Sequence, residues 1–376
     1  MTDPRIDFLY LSEQDMIDAG VTHMPGCVDT MIDMFTALGV GDYIMGGATR
    51  NSHGLVLDFP KESEHPGMPL AGPDRRYMAM PAYLGGPFGT TGVKWYGSNV
   101  ANREKGLPRS IHLFTLSDTD TGAPLSVMSA NLLSAYRTGA IPGVGARFLA
   151  REDAEVLGII GPGVMNSTAL ESFLVTRPSI GHVKVFGRSA GSTQAFVDRA
   201  RERHPHLMIN IVSDAETAVR GSDIVSAATS SPAGAHNYPF IHEKWIKPGA
   251  LISLPATVNL DPDFVIERAR NVADSVKLYE GYADDFGAPA HDAIGILGVF
   301  WNDLIAEGRL KRSDIDDLGS IIAGHTPART SDDEIILLAI GGMPVEDVAW
   351  ATVVYRNALE RGIGTSLNLW ETPALR

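Results

Sequence analysis

Three basic residues stand in surroundings that do not suit a solvated charge. Arg76 precedes YMAMP, Lys94 sits in GVKWYG and Arg137 in LLSAYRTGA, each bracketed by apolar or small residues. A cation in such a place is partly buried and needs an anion beside it. The anion can be a carboxylate of the chain, which makes a structural salt bridge, or the carboxylate of a bound small acid. Arg would grip such an acid with two parallel hydrogen bonds, and Lys would hold it as a point charge. Residues 156–166, VLGIIGPGVMN, offer a second anion site. Gly161 permits a tight turn after an apolar run, and Gly163 lets a phosphate approach the backbone. Val164 and Met165 then open a helix whose free N–H groups and positive end face that phosphate. The third position of the dinucleotide fingerprint is Asn166 rather than glycine, so the turn takes its meaning from its context.

That context is a train of alternating elements. Strand-like runs at 155–160, 182–187, 207–212, 223–229, 250–255 and 271–276 are separated by helical segments, among them 164–176, 192–204 and 214–221. Strands and helices alternating at this spacing predict parallel β-α-β units and a Rossmann-type doubly wound sheet. The first ~130 residues read instead as strands broken by Gly, Pro and Asp, which predicts a mostly antiparallel sheet. Residues 129–150 read as a helix that Pro142 should kink or interrupt, and 345–362 as a long amphipathic helix stopped by Gly362. DTDTGAP at 118–124 resembles half a calcium loop, but the twelfth loop position is Ser129, where a bidentate Glu is required; a hairpin turn is the better reading.

The totals narrow the possible partners. The 376 residues hold 31 Lys and Arg against 45 Asp and Glu, a formal charge of −14. This balance disfavours a nucleic-acid or anionic-membrane surface, so an anionic ligand must be held by a local basic cluster. One cysteine, Cys27, excludes an internal disulfide and any multi-cysteine metal site, and neither His112 nor His182 forms a zinc spacing with a neighbour. His112 and His182 lie on strand-like runs where burial with a backbone hydrogen bond is the ordinary outcome. His204 and His206 sit at a helix end facing solvent. The acidic start lacks a signal-peptide pattern, and no apolar stretch approaches the ~20 residues of a membrane span. A cytoplasmic protein is the default expectation.

The end of the second strand of the train selects the dinucleotide. NAD enzymes usually place Asp or Glu there to bind the ribose hydroxyls. Here the strand ends in Gly187, Arg188 and Ser189, with no carboxylate to repel a 2′-phosphate and an Arg and hydroxyls to hold one. NADP(H) is therefore favoured over NAD(H). The cofactor-binding candidates are Gly161, Gly163, Val164, Met165, Arg188 and Ser189, with Thr229 and Ser253 on two later strands.

Several of these stretches also resemble a known family. RYMAMP, GVKWYGS, DTDTGAPLSVMSANLLSAYRTGA, the GPG turn, DDEIILLAIGGMPVEDVA and ALERGIGTSLNLW occur in the order and spacing of the ornithine cyclodeaminase/μ-crystallin family, over nearly the whole chain. Within it, FLYLSEQDMIDAGV, DDEIILL and IGTSLNL are most similar to a siderophore-pathway dehydrogenase branch. The resemblance implies a Rossmann domain over 131–324. It also implies an α+β substrate and dimerisation domain formed from both chain ends, 1–130 and 325–376, and a homodimer. It implies that Arg76, Lys94 and Arg137 face a substrate carboxylate beside the nicotinamide. Members oxidise amino acids or reduce imines, and the cyclodeaminases do both in one cycle to make proline.

The chain departs from the cyclodeaminase pattern where that subgroup carries a catalytic Asp. The matching stretch is ISLPATVNLD, with Ser253 in the Asp position and Asn259 in that of a following Glu. Serine is a poor base, so ornithine cyclisation is disfavoured. The GRS strand end also differs from the acidic one of the siderophore branch, whose NAD preference is not carried over. The expected function is hydride transfer at the α-carbon of an amino acid, its imine or an opine-like N-carboxyalkyl amino acid. The alternatives are an ornithine cyclodeaminase and a NADPH-dependent small-ligand binding protein of the μ-crystallin type. Lys94 is the candidate proton donor or water activator, or else acts only by its charge, and Arg137 stands with it as a catalytic candidate. Asp347 either orients the substrate amine or caps the helix it begins. Trp95 and Tyr96 either wall the pocket or pack within the sheet.

Overall fold

A computed structural model describes residues 4–375, which form two units. One comprises the chain up to His23, Asp42–Arg137 and the chain from Met343 onward; the other comprises Met24–Gly41 and Thr138–Gly342. The strands run in chain order as β1 (Ile6–Leu11), β2 (Tyr43–Met45), β3 (Leu55–Asp58), β4 (Arg76–Leu84), β5 (Thr90–Ser98), β6 (Ser110–Ser117) and β7 (Pro124–Ser129) in the first unit. The second unit holds β8 (Val156–Ile160), β9 (His182–Phe186), β10 (Met208–Ile211), β11 (Ile224–Ala227), β12 (Leu251–Leu254), β13 (Arg270–Ala273), β14 (Ile315–Asp317) and β15 (Ile336–Ala339). The last strand, β16 (Thr365–Trp370), belongs to the first unit again.

In the first unit the sheet order is β16-β1-β7-β6-β5-β4-β2, with β3 on β4. All pairs are antiparallel except β1–β7. The helix Pro344–Arg361 packs across β4, β5 and β6. Register decides what faces it. Cross-strand partners share a face of the pleat, so Arg76, Ser98 and Ser110 form one row, Met78, Tyr96 and His112 the next, and Met80, Lys94 and Phe114 a third. Met80 and Phe114 are buried, and so is the Lys94 between them. The alternate residues Tyr77, Trp95, Ile111 and Leu113 point the other way and are exposed. DTDTGAP is the β6–β7 hairpin turn, with the Asp118 carboxylate accepting from the Thr121 N–H and hydroxyl.

The second unit is a parallel sheet of order β10-β9-β8-β11-β12-β15-β13-β14, whose first five strands follow the 3-2-1-4-5 start of a doubly wound dinucleotide fold. Two features differ from the sequence reading. Ile336–Ala339, assigned there to the C-terminal part of the substrate domain, is the sixth strand of this sheet, between β12 and β13. All four of its residues are buried, so the run has no alternation from which periodicity could place it. Met24–Gly39, within a region read as strands, is a helix with Met24, Cys27, Met31 and Phe35 buried, and it belongs to this unit.

Pro142 lies within a continuous helix, Asn131–Leu149, rather than ending it. Its glycine neighbours allow a close approach. A Cβ on Gly139 would lie 2.1 Å from Thr168 Oγ1, and one on Gly143 2.5 Å from Ser172 Cβ, on the helix Val164–Thr176. Ser172 Oγ donates to the Gly139 carbonyl at 2.6 Å, so the Gly-rich run is an interhelical contact. Among the described residues no helix is long and apolar enough to cross a membrane, and no group of three His, Cys, Asp or Glu is placed to hold a metal ion.

Candidate active site

The three sheet rows, with the first turns of Asn131–Leu149, enclose a cavity of about 130 Å³ in the first unit. Arg76, Lys94 and Arg137 all line it, together with His53, Met80, Tyr96, Arg109, Ser110, His112 and Ser134. Ser134 and Arg137 are three residues apart on one helix and so point the same way. Asn131 fixes the helix start to β6, accepting from the His112 N–H at 2.8 Å and donating to the Ser110 carbonyl at 2.9 Å.

At the inner end the cations meet carboxylates of the chain. Lys94 Nζ donates to Asp347 Oδ2 at 2.7 Å and to Ser134 Oγ at 3.2 Å. Arg137 Nε donates to Asp347 Oδ1 at 3.0 Å, and its Nη1 donates to Glu346. Both carboxylates lie in the first turn of Pro344–Arg361, where the helix dipole favours negative charge. Lys94 is 1% exposed, Arg137 4%, and both carboxylates 0%. Asp347 therefore neither caps the helix through its side chain nor stands open to an amine; it locks the two cations to each other. Glu346, absent from the sequence reading, completes the network and accepts from the Met343 N–H at 2.9 Å.

Burial and the nearby Arg137 guanidinium bring the Lys94 ammonium down to about 8, although Asp347 opposes the shift. Burial alone would raise Asp347, but Arg137 and Lys94 outweigh it and hold the carboxylate below its usual range. Burial would likewise lower Arg137, and its two carboxylates more than compensate. His112 is pushed down to about 4 by burial and by Lys94, so it is neutral near pH 7. Its ring packs on Tyr96, and its buried Nδ1 has no hydrogen-bond partner. This differs from the simple buried histidine the strand pattern suggests. Tyr96 lines the cavity, whereas Trp95 lies on the opposite face, stacked on Tyr77.

The outer end is more open. Arg76 Nε lies 3.3 Å from Asp74 Oδ1, yet that buried nitrogen is aligned for no hydrogen bond. Arg109 Nε lies 3.3 Å from the other oxygen, Asp74 Oδ2.

In the second unit the turn after β8 has the geometry a pyrophosphate needs. Gly161 has φ +88°, and a Cβ there would meet the Ala228 carbonyl oxygen at 2.4 Å. A Cβ on Gly163 would meet nothing within 4 Å, and no side chain caps the helix that Val164 and Met165 open. Asn166, in place of the third glycine, is fully buried. Its amide donates to the Ile160 and Gly161 carbonyls and accepts from Ser226 Oγ, pinning the turn to β8 and β11. Arg188 is exposed at the end of β9, donating to the Ser230 carbonyl at 2.8 Å, and Ser189 is the N-cap of Ala190–Arg203. The Thr229 and Ser253 hydroxyls are buried without a hydrogen-bond partner. Thr229 is half-buried, but Ser253 is wholly enclosed in β12 and reaches no surface.

A model of the ornithine cyclodeaminase/mu-crystallin family matches residues 20–362. The chain is similar to N-((2S)-2-amino-2-carboxyethyl)-L-glutamate dehydrogenase of Staphylococcus aureus, with 30% identity over 97% of this chain and 99% of that one. It is similar in structure to an archaeal alanine dehydrogenase dimer with bound NAD (TM-score 0.76, 26% identity, 97% of this chain and 100% of that one). It also resembles Δ1-pyrroline-2-carboxylate reductase of Thermococcus litoralis in complex with NADH and L-proline (TM-score 0.77, 26% identity, 96% and 100%).

The buried network sets an expectation for stability. Asp347→Asn removes the charge shared by Lys94 and Arg137 and leaves Glu346 to offset two buried cations. It is expected to cost about 3 kcal/mol in chemical denaturation at pH 7. The loss should shrink as pH rises through about 8, where Lys94 can shed its proton. A variant as stable as the parent at pH 7 would contradict the network.

Proposed function

We infer the activity from a fixed point: the chain belongs to the ornithine cyclodeaminase/mu-crystallin family. The reading supported best is an NADP(H)-dependent oxidoreductase acting by hydride transfer at the α-carbon of an amino acid, its imine or an N-carboxyalkyl amino acid. The observation that carries it is the convergence of Arg76, Lys94 and Arg137, distant in sequence, on one small cavity. Its volume of about 130 Å³ is well below the roughly 300–1,000 Å³ of drug-sized pockets, which suits the head group of a small acid. The relatives' names, which specify an N-substituted glutamate, alanine and pyrroline-2-carboxylate, point to the same substrate class.

The open Gly163 cradle, the uncapped helix and the orphaned Thr229 hydroxyl fit a pyridine dinucleotide. Gly161, Gly163, Val164 and Met165 would hold its pyrophosphate, and Arg188 and Ser189 its 2′-phosphate. Ser253, enclosed as it is, serves the sheet rather than the cofactor. NAD and NADH are bound in the two solved relatives, so the preference for NADP(H) rests on this chain's own strand end. When bound, the nicotinamide supplies or accepts the hydride.

The chain's side chains do the rest. Arg76, whose Nε lies against Asp74 but whose side chain is 39% exposed, turns the rest of its guanidinium to the substrate carboxylate, and Lys94 and Arg137 add positive charge from behind it. Asp347 and Glu346 keep those cations from moving, so orientation is set before the substrate arrives. Lys94, brought down to about 8, gives a proton to the nitrogen during imine reduction and takes one during amine oxidation. Ornithine cyclisation lacks a base at Ser253. The exposed Tyr77, Trp95, Ile111 and Leu113 bound a groove of about 550 Å³ on the outer sheet face, and we assign this face to a homodimer contact.

A spectrophotometric screen of amino acids with NADP⁺, and of keto acid and amine pairs with NADPH, should find steady turnover. Arg188→Ala should raise KM for NADPH roughly tenfold or more while leaving NADH nearly unchanged. Equal effects on both cofactors would remove the 2′-phosphate assignment, and formation of proline and ammonia from ornithine would overturn the argument from Ser253. Trp95→Glu should convert a dimer to a monomer in light scattering; a monomeric parent protein at micromolar concentration would contradict the proposed interface.

A further inference from the structure

The charges around the cavity do not cancel evenly. At the inner end Lys94 and Arg137 face Asp347 and Glu346, two cations against two carboxylates. At the outer end Arg76 and Arg109 share the single carboxylate of Asp74. One carboxylate cannot satisfy two guanidinium forks, and the buried Arg76 Nε makes no hydrogen bond. Side-chain exposure of 39% for Arg76 and 45% for Arg109, against 2% and 5% for Lys94 and Arg137, puts the uncompensated positive charge at the mouth.

The outer pair is held in place. Asp74 has φ +50°, a left-handed conformation that costs a non-glycine residue and persists only where its surroundings enforce it. Its Oδ2 also accepts from Ser98 Oγ at 2.5 Å, and Ser110 Oγ donates to Ser98 Oγ at 3.0 Å. Ser98 and Ser110 are the register partners of Arg76 in the outermost of the three rows, and Arg109 directly precedes Ser110. Sheet register and a bent loop thus set two guanidinium groups on either side of one carboxylate, at the entrance to the cavity.

Resting on the amino-acid or imine reading above, we propose that the substrate carries two carboxylates on one amine or imine nitrogen framework. The α-carboxylate is held by Arg76 and Lys94, and Arg109 reads the second. An ordinary mono-acid amino acid is a zwitterion without net charge and leaves the extra cation unmatched. An amino di-acid, or an N-carboxyalkyl amino acid, carries one net negative charge and balances it. Arg109 is then a specificity-determining residue that touches the distal carboxylate and takes no part in hydride transfer.

The test uses unreactive probes so that it does not depend on turnover. Affinities of glutarate and butyrate, which differ by one carboxylate, are measured calorimetrically on the full-length protein with NADPH present, beside turnover of glutamate and alanine with NADP⁺. Glutarate should bind roughly tenfold or more tightly than butyrate. Arg109→Ala should bring the two within about twofold by weakening glutarate far more than butyrate, while Arg109→Lys should keep part of the preference. A merely structural role for Arg109 would weaken both probes alike. Equal affinities in the parent protein, or a preference that survives Arg109→Ala, would overturn the proposal. A glutarate preference without turnover of any acid would uphold it while removing the activity reading; turnover of mono-acids without the preference would do the reverse.

Discussion

A lysine and an arginine are buried among methionines and aromatics, and the first unit is organised around that constraint. An ammonium in the apolar row between Met80 and Phe114 is tolerable only if its charge is met. The helix Pro344–Arg361 meets it by bringing Glu346 and Asp347 in its first turn, where its own dipole favours them. Asn131–Leu149 contributes the second cation, and Asn131 ties that helix to β6. Three elements far apart in sequence are thus bound to one another by charge, and the cavity is the space they leave. Such a network is a weak source of net stability but a strong determinant of position, which is what a site for a small acid requires.

The second unit solves a different problem with backbone rather than charge. Gly161 bends the chain where any Cβ would strike the Ala228 carbonyl, and Gly163 leaves the approach to the helix open. Asn166 replaces the usual third glycine and contributes hydrogen bonds that glycine could not make, so the incomplete fingerprint is a substitution of one stabilising device for another. The proposed preference for NADP(H) rests on three residues at the end of β9, on the absence of a carboxylate there as much as on the presence of Arg188.

Much of this was legible in the chain itself. The β-α-β train and the glycine turn announce the parallel sheet, and the apolar brackets around Lys94 and Arg137 point to buried cations, whereas Arg76, bracketed alike, stays 39% exposed at its side chain. The alternation Arg76, Met78, Met80 and Lys94, Tyr96, Ser98 also carries the signal that Tyr96 and His112 face the same side as Lys94, once the register is known. Register itself is a long-range property that local text does not contain. Arg109, in LPRSIH, looks like any solvated residue, and only the fold brings it to Asp74. Asp347 was recognised but its partner Glu346 was not, because two adjacent carboxylates at a helix start read as ordinary dipole complements. Ile336–Ala339 was misplaced because a wholly buried strand has no periodicity to read.

The central claim is that the cavity takes a small carboxylate beside a lysine whose proton is loosely held. Calorimetric titration of an unreactive carboxylate, in buffers of differing ionisation enthalpy, counts the protons taken up on binding. Lys94 near 8 is largely neutral at about pH 9, and an arriving carboxylate favours its charged form. The structure therefore predicts uptake approaching one proton at about pH 9, vanishing below about pH 7 and absent in Lys94→Met. Binding without proton uptake across that range, or uptake that persists in Lys94→Met, would contradict it.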